Sequence, residues 1–388
     1  MISVAVVTST RAEYGLMRPL IFNLIKDEDI DFSLIVTGTH LSPQYGYTIT
    51  EIEDDGVPIR SHIEIIPDKI EDTATIMSNT LSKFSAYFKN NKFDYLVVDG
   101  DRYEMFAVCI AAVLNNIPIA HCGGGETTEG ANDEYWRHCM TKLSYLHFPI
   151  MNEYRNRIIQ MGENPNRVFN VGSLGLENIR NMIFSSKEEV SKRVKLALNK
   201  PYALVTFHPV TLDNSSSIEQ IKELLQALDY FEGMDFIITK ANADKEGEKI
   251  NQIIEEYAKN KKNVVFVSSL GAQYYLSAMR YSEMVIGNSS SGIIETPTFK
   301  IPTINIGDRQ KGRIQANTII NCEPKKEDII RAILKGKSIE FKRICEESKN
   351  PNGDGNASLK IIKHLKESFS EGIDLQKSFY DLTIGSRG

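Results

Sequence analysis

The chain has 388 residues, with 45 Lys+Arg against 51 Asp+Glu for a formal net charge of −6 at pH 7, 41% apolar residues and 25% charged ones. That length suits two domains with cores of their own, and the composition lies far from the low-hydrophobicity, high-charge range of disordered chains. The acidic balance excludes a general electrostatic attraction to nucleic acid or to an anionic membrane, so any anion site has to be built locally.

The N-terminus, MISVAVVTSTRAEYG, has no basic n-region. Its apolar run of about six residues is too short for a signal sequence or a membrane span, so a cytoplasmic protein is expected. Further along, short β-branched runs each lead through a turn into a segment with helical apolar spacing. Residues 4–7, 32–36, 95–98, 117–120 and 168–171 read as strands in the first half, and residues 203–207, 236–238, 264–267, 284–286 and 303–306 in the second. Apolar strands alternating with helices indicate parallel sheets in α/β domains, and two such halves predict two doubly wound domains. The boundary is expected near VGSLGLEN (171–178), with the domains divided at 172/173, or in the lysine-rich stretch that ends at LNKPY. NPNGDGN at 350–356 precedes an amphipathic helix over 357–369. The five cysteines, Cys109, Cys122, Cys139, Cys322 and Cys345, lack CxxC spacing and fit neither a disulfide framework nor a zinc site, so all five are read as reduced.

Ligands of open α/β sheets bind at the carboxyl ends of the strands, and the segments there are polar. In the first half they are TSTRAEYG (8–15), DGDRYE (99–104) and HCGGGETTEGANDEYWRH (121–138); in the second, FHPVT, KANAD, GNSSSGIIETP and IGDRQKGR. GNSSSGIIE sets hydroxyls and a glycine between strand and helix, which suits a diphosphate; equally, Asn288 or a serine merely caps the helix. Glu295 can accept from a ribose diol or complement the helix dipole. Arg11 can close on a phosphate or lie on the surface, and His208 can act as acid, base or phosphate donor or be structural. Asp99, Asp101, Glu104, Glu126, Glu129, Asp133 and Glu134 crowd two adjacent strand-end loops with Arg102, Arg137, His121 and His138. Crowded carboxylates suit acid/base work, although any single one can be a solvated loop charge. HExxH, DxDxDG and GxxxxGK[ST] are absent, and Gly123-Gly124-Gly125 lacks GxGxxG spacing, so neither a metal nor a dinucleotide is expected.

The ordered set TSTRAEYG, VTGTHL, DGDRYE, GGGETTEGANDEYWRH, KLSYLHF, FHPVT, NAD at 242–244, GNSSSGIIE and GDRQKGR resembles the hydrolysing UDP-N-acetylglucosamine 2-epimerases over about residues 1 to 370. The resemblance implies a GT-B-like architecture of two Rossmann-like domains with an interdomain cleft. Residues 1–172, joined by the C-terminal helix region 357–388, would carry the catalytic carboxylates, and residues 173–356 would bind the nucleotide. It implies anti elimination of UDP to 2-acetamidoglucal and hydration to N-acetylmannosamine, without NAD or an essential metal, in a dimer or tetramer. Residue by residue it assigns catalysis to Asp101, Glu126, Asp133 and His208. It assigns substrate and nucleotide binding to Arg11, Arg102, Asn242, Ser289, Ser290, Gly292 and Glu295. Many relatives have a glutamate third in H-I-E-G-G-E, where this chain has Gly123. The missing side chain opens a second substrate, UDP- or GDP-linked 2,4-diacetamido-2,4,6-trideoxyglucose of the legionaminic-acid branch. A GT-B glycosyltransferase and a non-catalytic nucleotide-sugar sensor are the alternatives of other classes.

Overall fold

The computed structural model describes residues 1–382 except 44–46, 68–71, 128–131, 210–216, 242–246 and 269. The chain forms two compact units, Met1–Arg180 with Asn352–Gly388, and Asn181–Pro351. The first contains strands β1 (Ile2–Thr8), β2 (Ile30–Thr37), β3 (Ile59–Ile63), β4 (Tyr95–Asp99), β5 (Ile119–Cys122) and β6 (Leu146–Phe148). They form one parallel sheet in the order β3-β2-β1-β4-β5-β6. The second contains β7 (Tyr202–Thr206), β8 (Asp235–Thr239), β9 (Val264–Val267), β10 (Met284–Gly287), β11 (Thr303–Ile306) and β12 (Ile319–Cys322). Its order, β12-β11-β10-β7-β8-β9, is the same winding viewed from the other edge, and it too is parallel throughout. Both units are therefore Rossmann-like, doubly wound sheets.

The strands are apolar along their whole length because each sheet is covered on both faces. Successive side chains alternate between two cores, as a two-residue period requires. Val4, Val6, Leu34, Val36, Tyr95 and Val97 face one core, and Ala5, Val7, Ile35, Leu96 and Val98 face the other. On the first face lie Met17, Leu20 and Leu24 of the helix Arg11–Lys26 with Ile361 and Leu365 of the helix Ala357–Glu371. Asn23 Nδ2 donates to Ser358 Oγ at 2.7 Å and fixes that crossing.

Three differences from the sequence reading have local causes. Residues 168–171 make only a single bridge, His147 to Val168, rather than a strand. Strands β3, β6 and β12 were not anticipated; β3 alternates exposed and half-buried positions, and β6 is three residues long. The chain leaves the first unit at Arg180 rather than at 172. Glu177 explains this, since its carboxylate accepts from the Ser358 amide at 2.7 Å and from the Ser358 hydroxyl, which ties residues 174–180 to the C-terminal helix. All five cysteines are free. Among the described residues no helix is long and apolar enough to cross a membrane.

Candidate active site

Strand order reverses between β1 and β4 in the first unit and between β7 and β10 in the second. At such switch points the flanking helices leave on opposite sides and open a crevice at the carboxyl ends of the strands. The polar segments singled out above begin at these ends.

In the first unit, Ser9 follows β1. Thr10 then caps the helix Arg11–Lys26 in a capping box with Glu13. Glu13 Oε2 accepts from the Ser9 amide at 2.8 Å, the Ser9 hydroxyl at 2.6 Å and the Thr10 amide at 3.0 Å. The same Ser9 hydroxyl lies 3.0 Å from Glu104 Oε1. A serine has one hydroxyl hydrogen and cannot satisfy two carboxylates at once, so a proton on one of them relieves the conflict. Burial, with the Glu104 charge adding and the Ser9 hydrogen bonds opposing, pushes the Glu13 carboxyl up to about 7. Glu104 is countered by the Arg102 guanidinium.

Asp99 ends β4, paired in register with Cys122 of β5. Desolvation, reinforced by the charges of Glu13, Glu126 and Asp101, holds its carboxyl well above the ordinary carboxylate range. Asp101 has a different environment, because the Arg137 guanidinium is paired with it. Arg137, only 4% exposed, also donates to Glu134 Oε2 and to the Glu126 carbonyl, each at 3.1 Å, and so gathers the strand-end loops. His121 is buried with Nε2 2.8 Å from the Gly100 carbonyl. Burial lowers it to about 4, so the ring is neutral near pH 7 and Nε2–H donates to that carbonyl. Asp133 opens the helix Asp133–Leu143 in an exposed position, where an acid complements the helix N-terminus. Arg11 is 71% exposed and pairs with Glu51 at 2.9 Å.

In the second unit a reciprocal clamp spans the switch point. The His208 amide donates to Asn288 Oδ1 at 2.7 Å, and Asn288 Nδ2 donates to the His208 carbonyl at 2.8 Å. Gly287, just before it, has φ +136°, and a Cβ there would lie 1.9 Å from the Thr206 carbonyl oxygen. Only glycine allows β10 so close to the end of β7. Arg309 and Gln310 donate to the Asn288 carbonyl at 3.1 and 2.9 Å, which draws the IGDRQ segment to the same point.

The helix that follows is only five residues long, Ser290–Ile294. Ser289 is its N-cap and accepts from the Ser291 amide, so its hydroxyl is partly committed. Glu295 falls at the C-cap of this short helix, where a carboxylate gains nothing from the dipole. Burial raises its carboxyl, and the Ser291 hydroxyl, which donates to it, acts in the opposite sense. Gly292 serves packing, since a Cβ there would come within 2.9 Å of Thr303 Cγ2. Asn242 lies outside the described residues.

Among the expected residues, Asp101 meets Arg137, whose Nη1 also reaches the Glu126 carbonyl, while His208 is joined to the segment containing Ser289, Ser290 and Glu295. Arg11 and Asp133 stand apart on helix N-terminal turns. The sequence reading passed over Glu13, Asn288 as a clamp, Arg309 and Gln310. Glu13 was hidden because T-x-x-E reads as a capping box, which it also is.

Residues 23–366 match the profile of a family described as UDP-N-acetylglucosamine 2-epimerase. The chain is 42% identical, over 98% of its length and 99% of the relative's, to a GDP/UDP-N,N'-diacetylbacillosamine 2-epimerase (hydrolyzing) of Campylobacter jejuni subsp. jejuni. It is 40% identical, over 97% of its length and 96% of the relative's, to the polysialic acid biosynthesis protein P7 of Escherichia coli. Its fold matches that of the UDP-GlcNAc 2-epimerase of Neisseria meningitidis with a TM-score of 0.78 at 18% identity, covering 94% of this chain and 100% of that one. The fold is accordingly GT-B-like.

Proposed function

We propose that this chain, which belongs to the UDP-N-acetylglucosamine 2-epimerase family, is a hydrolysing nucleotide-sugar 2-epimerase whose sugar is N,N'-diacetylbacillosamine, a 2,4-diacetamido-2,4,6-trideoxyglucose. In the first half-reaction a carboxylate takes the C2 proton while the C1–O bond breaks, and its electron pair leaves with the nucleoside diphosphate. The product is a glycal with a C1–C2 double bond. In the second, a proton returns to C2 from the other face, a water oxygen bonds to C1, and the second water proton passes to a carboxylate. Protons move and no net oxidation occurs, so no redox cofactor is assigned.

One observation supports this chemistry above the others: the first unit sets carboxyl groups of unlike environment side by side, Asp99 crowded by other acids and Asp101 paired with a cation. A reaction that takes a proton and then gives one back needs such a contrast. Asp101, Glu126 and Asp133 are assigned to the sugar, where carboxylates also stabilise oxocarbenium character at C1. His208, Arg11, Arg102, Asn242, Ser289, Ser290 and Gly292 are assigned to the nucleoside diphosphate, and Glu295 to the ribose diol.

The choice of sugar rests on the relative of 42% identity and on Gly123, where a missing side chain would suit a C4 acetamido group. UDP-N-acetylglucosamine is the second reading, supported by the family description and by the relative named for polysialic acid biosynthesis. Initial rates with UDP- and GDP-linked N,N'-diacetylbacillosamine and with UDP-N-acetylglucosamine decide between them. One diacetamido substrate is expected to exceed UDP-N-acetylglucosamine in kcat/KM by at least about tenfold, the scale of one pocket contact. The reverse order would establish the second reading.

A further inference from the structure

The strand-end carboxyl groups of the first unit are not equally placed to give up a proton. Asp101 is held by Arg137, and Glu104 by Arg102. Glu13 is 6% exposed and accepts from two backbone amides and a hydroxyl, an arrangement that fixes the turn after β1. Asp99 has none of these attachments. Among the described residues no group donates a hydrogen bond to its carboxyl or forms an ion pair with it, and its position at the end of β4 is only partly covered.

The charges that act on it are acidic, and the nearby Arg137 guanidinium is committed to Asp101, Glu134 and the Glu126 carbonyl. Glu13, Glu126 and Asp101 face it, and the Cys122 thiol beside it in the register stays protonated because of burial and then of Asp99 itself. Like charges around a desolvated carboxyl favour its neutral form, so Asp99 keeps a proton where an isolated aspartate would lose it. The neighbouring loop keeps the group open. Gly123 follows β5 with φ +77°, and a Cβ on it would rest 3.8 Å from Asp99 Oδ1 and 3.7 Å from the Gly100 amide nitrogen. Any longer residue would start its side chain from that point beside the carboxyl; glycine puts none there.

We propose that Asp99 is the carboxylic acid that delivers a proton to C2 of the glycal in the hydration half-reaction, on the side that Gly123 leaves open. The proposal rests on the epimerase reading above. The Asp99 O–H bond breaks and its proton forms the new C2–H bond with the π electrons of the glycal. The water oxygen forms the C1–O bond and releases its extra proton to a neighbouring carboxylate. Solvent then reprotonates Asp99. Positioned acids of this kind contribute about 10²- to 10⁴-fold.

The two half-reactions can be measured separately on the full chain, with the nucleotide sugar and with its 2-acetamidoglucal supplied directly. Asp99→Asn is expected to release nucleoside diphosphate in a single turnover within about tenfold of the native rate while hydrating added glycal at least about 100-fold more slowly, so that glycal accumulates. Asp99→Glu should restore part of the hydration. Glycal hydration by Asp99→Asn within about threefold of native, or equal loss of both half-reactions, overturns the proposal. A native enzyme that neither releases nucleoside diphosphate nor hydrates glycal overturns the epimerase reading and this inference with it, and is thereby distinguished from failure of Asp99 alone. If Asp99→Asn does not fold, ¹³C-carboxyl NMR of the aspartate-labelled native protein replaces it. A protonated aspartate persisting at pH 7 is expected, and none at that pH overturns the assignment.

Discussion

At Ser9 one hydroxyl hydrogen stands between Glu13 Oε2 at 2.6 Å and Glu104 Oε1 at 3.0 Å, and the second oxygens of both acids are buried without a partner. This conflict has a pH signature. The Glu13 carboxyl rises from an ordinary 4.5 to about 7, so between these values the native state holds a proton that the unfolded chain releases. Stability from this group is complete below about pH 4.5, declines as pH rises and is lost above about pH 7, a change of about 3 kcal/mol at roughly 1.4 kcal/mol per unit. Glu13→Gln removes the titration. In urea denaturation its stability relative to native should therefore grow from pH 4.5 to pH 7 and then level off; a difference independent of pH would contradict the assignment. A sequence shows that Glu13 can cap a helix, but not that Glu104, 91 positions further on, competes for the same serine. The strand-end placement of Asp101 and His208 was legible because an apolar run ends within a few residues before each. Asn288 was legible only as a possible cap, because its partner His208 lies 80 residues away.

Whole elements were read from the sequence where burial is two-sided and missed where it is not. β1, β2, β4, β5 and β7 to β11 are continuous apolar runs, and each was located to within a few residues. β3, IRSHI, is an edge strand half open to solvent, and β12 is the edge of the other sheet, so neither has the pattern of a covered strand. The GNSSSGIIE turn was read correctly as strand-to-helix, but its five-residue helix was not foreseen, and that shortness moves Glu295 to the far end. The segment after the helix Ala357–Glu371 was also unread. It folds back onto the first unit, where Lys377, Lys142 and His147 converge on Glu163 at 2.6, 2.5 and 3.0 Å, and the Tyr380 amide donates to the Gly162 carbonyl at 2.9 Å. The three partners lower the Glu163 carboxyl to about 2 against its desolvation, so the stability it adds is lost only as pH falls from about 4.5 toward 2. Glu163→Gln strands two lysines around a neutral group. Removing one member of a buried ion cluster costs about 3 kcal/mol, or about 100-fold in a local opening equilibrium. Faster amide exchange at Tyr380 by that order is expected, and an unchanged rate would show that Glu163 does not hold the segment.

At the scale of the molecule, two sheets with the same strand order each present a switch point, and different kinds of polar group gather at each. The first unit offers acids in unlike surroundings, Asp99 crowded by other acids and Asp101 paired with Arg137; the second offers a backbone clamp, hydroxyls and basic side chains. With a net charge of −6 any anion site has to be local, and the groups proposed for it are the strand-end side chains of the second unit together with Arg11 and Arg102 of the first. Both sheets and the family were legible in the sequence, because strand-end motifs keep their order along the chain. The identity of the sugar was not, since it depends on the space around a few side chains. The central claim, that a nucleotide sugar is epimerised at C2 through a glycal, is tested most directly in deuterated water. NMR of the products should show release of nucleoside diphosphate together with the free 2-epimeric sugar carrying deuterium at C2, whereas a released sugar with its original C2 hydrogen, or transfer of an unaltered sugar to an acceptor, would contradict it.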